Sequence, residues 1–439
     1  MQLKKTRGLA LAQALTQASV ALLGTVAPFT AAHAEDRGWQ VDTAALFYQE
    51  SDSRVMAAEP VVNMKKDYGD EKILNLKLVL DSLTGASPNG APPANVSQTF
   101  TGPSGNKAYT AAPGTLPLDD EFKDTRAAIS AGWQQPIAEN LRLNVGGNFS
   151  KEYDFMSLGL NAALAKDINN KNTTLSAGLG LEFDSINPVG GAPEPLTALA
   201  DQRKKDSDSR SQVDLLFGVT QVLGRHSLLQ LNYGLSSSSG YHTDPYKVLT
   251  VLDSNNNLVA SNTPGQYQYL FESRPDTRLR HSLYAGWKYI FTEDVIDLSL
   301  RFTSDDWGIQ TNTLDAKYRW AATQDFYVEP HVRWYTQTEA DFYRPYLREG
   351  QDVTLAGNAV TPLLTEASAD SRLGAFDALT YGIKFGYALG RDSEVNLRVE
   401  QYTQTASNVS APATGNLAGQ EIVPDLSAMW VQIGYSFRW

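Results

Sequence analysis

The stretch Ile296-Asp297-Leu298-Ser299-Leu300-Arg301-Phe302-Thr303 alternates apolar and polar residues without a break. A two-residue period puts Ile296, Leu298, Leu300 and Phe302 on one face of a strand, and Asp297, Ser299, Arg301 and Thr303 on the other. The same texture recurs along the chain. Leu74, Leu76, Leu78 and Leu80 alternate with Asn75, Lys77, Val79 and Asp81. Leu141, Leu143, Val145 and Phe149 alternate with Arg142, Asn144 and Asn148. Val431, Ile433, Tyr435, Phe437 and Trp439 alternate with Gln432, Gly434, Ser436 and Arg438. Strands read this way run about 10–15 residues, against a usual 5–6 in soluble sheets. A tilted membrane strand needs about 9–11 residues to cross the hydrocarbon. Long strands with one apolar and one polar face imply a barrel in lipid around a wet interior. A soluble sandwich or β-helix would show shorter strands or a fixed short repeat.

The connections alternate in length. Short polar turns fall at Tyr68-Gly69-Asp70, Pro136–Asn140, Asp167–Asn172, Gly224-Arg225, Thr292–Asp294, Thr323–Asp325 and Gly390–Asp392. Between them lie connections that are often long, including Thr84–Glu121, Asn187–Asp208, Gly240–Pro275, Ala340–Ser371 and Ser407–Pro424. Seven turns and eight loops predict an all-β fold, a transmembrane antiparallel β-barrel of about 16 strands with short periplasmic turns and longer extracellular loops. The weakest strand is Arg54–Lys66, which Pro60 interrupts. Trp133, Trp287, Tyr289, Trp307, Trp320, Trp334 and Trp430 fall near strand ends, where amphipathic rings favour membrane interfaces.

The amino terminus reads as a separate unit. Lys4, Lys5 and Arg7 precede a mostly apolar run from Leu9 to Phe29, and Ala32-His33-Ala34 supplies small residues around a bulky one. That is the plan of a secretory signal peptide, residues 1–34, with cleavage after Ala34. Residues 35–439 then form one barrel domain, since no linker divides unlike compositions. The chain contains no cysteine, which excludes disulfides, cysteine metal sites, a thiol nucleophile and a lipidated cysteine. The net charge of −12 argues against nucleic acid as a partner, because that needs a basic field.

The C-terminal Tyr435-Ser436-Phe437-Arg438-Trp439 resembles the assembly signal of outer-membrane barrels, with Trp439 as the terminal aromatic. The resemblance implies two partners, the barrel-assembly machinery and outer-membrane lipids. Leu46-Phe47-Tyr48-Gln49-Glu50 leading to Glu59-Pro60-Val61-Val62, together with Leu80–Gly90, resembles an uncharacterised family of proteobacterial outer-membrane proteins. That resemblance covers the mature chain and implies fold and location but no activity. It also implies a link to small periplasmic lipoproteins and flavin-attaching enzymes.

Alternation places a charged set on the lumen face: Glu59, Lys77, Asp81, Arg126, Arg142, Asp297, Arg301, Asp315, Lys317, Arg319, Glu329, His331 and Arg333. It is densest between Asp297 and Arg333. Such a wall sets solute selectivity in a channel, or is a solvated surface whose charges pair with one another. His331 is the only histidine placed inward within a strand, and an ion-paired role suits it better than catalysis. His226 lies beside a turn, His242 in a loop and His281 on the outward phase. No histidine spacing fits a metal, and Asp206-Ser207-Asp208 and Asp305-Asp306 lack a full oxygen-ligand pattern. Asp81–Gly90 carries turn formers but no helix behind it to cradle a phosphate. No catalytic constellation assembles and no cofactor is indicated. The resulting expectation is an outer-membrane barrel acting as a porin-like channel for small solutes. The alternative is an outer-membrane scaffold or enzyme with a filled barrel.

Overall fold

The computed structural model describes residues 38–51, 54–85, 88–101, 108–119, 122–201, 204–262, 266–407 and 409–439. The signal-peptide segment lies outside the described residues.

Sixteen strands close into one antiparallel barrel in chain order. They are β1 (Trp39–Glu50), β2 (Val55–Asp67), β3 (Ile73–Gly85), β4 (Lys123–Ala138), β5 (Leu141–Lys151), β6 (Phe155–Ile168), β7 (Thr173–Ile186) and β8 (Asp208–Gly224). The circuit continues through β9 (Ser227–Gly240), β10 (Thr277–Ile290), β11 (Val295–Asp305), β12 (Gln310–Ala321), β13 (Phe326–Gln337), β14 (Phe376–Ala388), β15 (Ser393–Ala406) and β16 (Leu426–Arg438). The seam is β1 against β16, in register from Gln40 with Arg438 to Glu50 with Ala428. Trp39 and Trp439 lock its end by reciprocal backbone bonds of 2.7 and 3.0 Å. No helix among the described residues is long and apolar enough to cross a membrane.

Pro60 does not break β2. It pairs with Ala45 of β1, but the ladder to β3 lapses between Ala58–Ser82 and Val61–Val79. Proline lacks the N–H that one ladder rung needs, and a long strand tolerates the loss because its remaining rungs hold the register.

The two faces differ as alternation requires. Leu80, Phe217, Leu283, Leu300, Tyr381 and Ile433 stand out from the barrel with about half their surface uncovered. Each belongs to the apolar phase of its strand. In water such a belt would be an unusually large exposed patch, whereas a lipid barrel needs it. At the short-turn end Tyr435, Phe437 and Trp439 stack in a ladder with centroids 5.4 and 5.6 Å apart. Two of the expected interface tryptophans lie elsewhere. Trp430 is on the inward phase, stacked on Tyr48 at 6.4 Å, and Trp307 is buried among loop residues. Parity decides the first, and a loop partner decides the second.

The long loops fold together. Val248–Leu252 pairs antiparallel with Tyr269–Phe271 of its own loop and parallel with Leu347–Arg348 of the β13–β14 loop. The β9–β10 loop also bonds the β3–β4 loop (Val248 N to Asn89 O, 2.9 Å), the β7–β8 loop (Phe271 N to Thr197 O, 2.9 Å) and the β15–β16 loop (Leu258 N to Asn416 Oδ1, 2.8 Å). Ala94, Leu252, Leu258, Tyr346 and Leu417 form one buried cluster drawn from four loops. These loops leave the ring at points as far as six strands apart, so they meet only by leaning over the mouth. The result is a cap with its own apolar core.

Burying one leucine is worth about 1.5–3 kcal/mol, and truncating it to alanine costs about 2–5 kcal/mol where the cavity cannot collapse. Leu252→Ala therefore speeds tryptic cleavage in the loops while the barrel keeps its detergent-resistant folded form. Unchanged cleavage would show that the cap is not held by this cluster.

Candidate functional site

All the charged positions that alternation assigned to the lumen project inward, but they form two groups on different parts of the wall. Glu59 of β2 and Asp81 of β3 share Arg126 of β4, at 4.0 and 2.6 Å. Arg142 of β5 bonds Asp167 of β6 at 2.9 Å. The larger group lies across the bore on β10–β15. There Asp297 meets Lys288 at 3.1 Å, Arg301 lies over Tyr284 at 5.5 Å, and Arg319 stacks on Tyr327 at 3.6 Å. The charged set from Glu59 to Arg333 thus falls into two groups, because β2–β3 and β11–β13 stand on opposing arcs of the ring.

His331 is the node of the larger group. Its Nδ1 lies 2.9 Å from Glu400 Oε1, and its Nε2 lies 3.0 Å from Asp315 Oδ2. Asp315 also accepts from Arg333 at 2.7 Å and has Lys317 at 3.4 Å. Arg398 bridges Glu400 at 2.8 Å and Glu329 at 3.0 Å. A carboxylate oxygen only accepts, so with both acids ionised the pattern is complete for an imidazolium, which has two N–H donors. The node is a relay of alternating charge. The acids are already engaged, and among the described residues no acid and histidine grouping could hold a metal ion.

The contact between His331 and Glu400 depends on a residue without a side chain. His331 faces Gly382 across β13–β14, and Gly382 faces Glu400 across β14–β15. A Cβ on Gly382 would come within 2.4 Å of Glu400 Cγ. The glycine leaves the gap through which the two outer strands of the trio touch. Arg398 and Glu400 were legible as inward residues from the alternation of β15. Their partnership with His331 was not, because it requires knowing that one strand intervenes and that it is bare at that rung.

Above the wall, the cap contains a second charged site that the loop sequences did not suggest. Asp370 accepts from Arg372 Nε at 2.7 Å and Arg274 Nη2 at 2.8 Å, with Lys247 Nζ at 3.7 Å. Glu272 accepts from Arg274 at 2.6 Å, from Ser368 and from the backbone of Asp244 at 2.6 Å. Arg372 reaches Asp244 at 3.1 Å, and Lys247 donates to Pro88 O at 2.6 Å. Three acids and three bases thus tie the β3–β4, β9–β10 and β13–β14 loops. Burial pushes Lys247 down to about 8 against the pull of Asp370. Burial would raise the Asp370 carboxyl, but Arg372, Lys247 and Arg274 together hold it well below the usual range. Nearby, His242 accepts from Ser238 Oγ at 2.8 Å and donates to Gly240 O at 2.9 Å, a neutral tautomer. Burial, aided by Arg210, pushes it down to about 4.

In each acidic pair considered for a cation, one acid is already engaged. Asp305 accepts from Arg278 Nε at 2.8 Å and from the backbone of Trp307 and Ile309, and Asp208 is paired with Lys205.

A family model described as "Protein of unknown function (DUF3570)" matches residues 12–437. No curated protein matches the chain. Among solved structures, a mutant of the ferric enterobactin receptor PfeA from Pseudomonas aeruginosa is 11% identical, with a TM-score of 0.43 over 90% of this chain and 59% of that one. The chain thus spans less than two thirds of that receptor. A bacterial polysaccharide outer membrane secretin is 8% identical, with a TM-score of 0.42 over 92% of this chain and 99% of that one. The outer membrane protein opdK of Pseudomonas aeruginosa is 10% identical, with a TM-score of 0.39 over 92% and 99%.

Two of the cap's titrating groups, His242 and Asp370, act in one direction, and Glu272, whose carboxyl burial raises, acts in the other. An opened cap protonates His242 near 6.5, whereas the closed one does so only near 4. The His242 contribution is therefore complete above pH 6.5 and is lost as pH falls toward 4, a change of about 3 kcal/mol. Asp370 adds a loss below pH 3.8. Amide exchange across residues 241–276 should accelerate between pH 7 and 4.5, after correction for intrinsic rates. Equal protection at both would contradict the assignment.

Proposed function

The chain belongs to the DUF3570 family, and from that premise we propose that it is an outer-membrane β-barrel passing small charged solutes through a wet lumen. The observation that carries this is the inward wall. Its Lys288–Asp297 pair is reached by water, both side chains being more than a third exposed although they face the bore, and the Arg333 side chain is 43% exposed. A dry, filled barrel would bury such a pair and demand tight compensation for each charge. Sixteen strands leave room for an aqueous bore.

The outward apolar belt and the aromatic ladder at Trp439 support residence in the outer membrane and insertion by the barrel-assembly machinery. In this reading the short turns face the periplasm and the cap faces outward. The cap makes the path restricted, because loops from around the ring meet over the mouth. Solutes enter through gaps between loops or when the loops part.

Planar bilayers test the proposal. The parent protein should give conductance steps. Replacing Arg301, Arg319 and Arg333 together with glutamine should shift ion preference toward cations. Fields from exposed charges fade over about 10 Å at 0.1 M salt, so the shift should grow as salt is lowered. A parent that inserts but passes no current would reject the channel and leave the scaffold or enzyme reading.

A further inference from the structure

One lumen arginine has no counterpart. Arg280 of β10 lies on the inward phase, directly opposite Asp305 in the β10–β11 register. Among the described residues, no hydrogen bond, ion pair or ring contact engages its guanidinium. The obvious carboxylate is already saturated. Asp305 Oδ2 is held by Arg278, and its Oδ1 accepts the backbone N–H of Trp307 at 3.1 Å and Ile309 at 2.9 Å. Asp214 lies two strands away through Ser236 and is taken by Gln212 at 2.9 and 3.1 Å. The other inward charges near Arg280 are Arg278 and Arg301, which repel it.

The position is also enclosed. Arg280 is the fourth residue from the loop end of β10, about 10 Å along the strand beneath the cap. Tyr335 of β13 faces the same part of the bore, within electrostatic reach of Arg278 and Arg280. A cation crowded by like charge and short of a partner is costly to hold. A guanidinium offers a planar fork that matches a carboxylate or phosphate through two parallel bonds.

We infer that Arg280 is the principal contact of a binding position for small anions bearing a carboxylate or phosphate, completed by Arg278 and Arg301. The anion supplies the missing charge and releases the repulsion among the arginines. The inference deepens the channel reading by naming a solute class. It rests on that reading only for the route by which the anion arrives.

Binding and conduction separate the two claims. The detergent-solubilised full chain is titrated at low salt with succinate and, separately, inorganic phosphate, by calorimetry and by thermal unfolding. Saturable binding of at least one anion is expected, and the preferred one identifies the group. Arg280→Gln should weaken it at least tenfold. Arg280→Lys should weaken it less, since the charge stays and the fork is lost. Asp214→Asn should tighten it several-fold by removing a repelling carboxylate. If the parent binds neither anion saturably, or Arg280→Gln binds like the parent, the inference is overturned. Asp214→Asn lowering thermal stability without tightening binding would also overturn it, making Arg280 a structural counter-charge to Asp214. Should Arg280→Gln fail to fold, the parent titration and the lysine variant still decide. A parent that binds anions but conducts nothing loses the channel reading and keeps this site. One that conducts without binding does the reverse.

Discussion

Backbone hydrogen bonding governs the rest of the molecule. A strand in hydrocarbon must pair every N–H and C=O internally, and only a closed sheet leaves no edge. Closure here is the β1–β16 seam, finished by the paired backbones of Trp39 and Trp439. Once the sheet is closed, the two-residue period has no freedom left. One phase must meet lipid and the other must meet the bore. Leu298 and Leu300 face outward for the same reason that Asp297 and Arg301 face inward. Pro60 fits the same logic, since it removes a rung between β2 and β3 while the circuit stays closed.

The wall and the cap solve different problems. On the wall, exposed pairs such as Lys288–Asp297 add little stability and chiefly set a field, while Asp315, His331 and Glu400 are buried and satisfied by one another and by arginines. In the cap, Lys247, Glu272 and Asp370 are buried, and each depends on partners from other loops. Breaking a buried pair costs about 3–5 kcal/mol because the surviving charge is stranded. His331 stands between these regimes, deeply placed yet joined through Asp315 to the half-exposed Arg333.

Much of this was legible in the sequence, for a local reason. Strand identity, parity and the alternation of short and long connections depend on neighbours a few residues apart. What failed to show depends on distant pairs. The cluster of Ala94, Leu252, Tyr346 and Leu417 has no period, and its members are separated by most of the chain. The His331–Glu400 contact needed the order of three strands and the bareness of Gly382. Trp307 looked like an interface residue by its place near a strand end, but the loop residue Phe342 covers it at 5.1 Å. Arg280 was readable as inward from the alternation of β10, yet its lack of a counter-charge becomes visible only when Asp305 is seen to be spent.

The central claim is that alternate residues of one strand meet water and lipid. The chain has no cysteine, so single cysteines report without background. The decisive measurement places them one at a time along β11, from Leu298→Cys to Thr303→Cys, and times their reaction with a small charged thiol reagent in lipid vesicles. Fast labelling is expected at Ser299, Arg301 and Thr303 and slow labelling at Leu298, Leu300 and Phe302. Uniformly slow labelling on both phases would mean a filled bore, and a reversed pattern would mean that the faces are assigned the wrong way round.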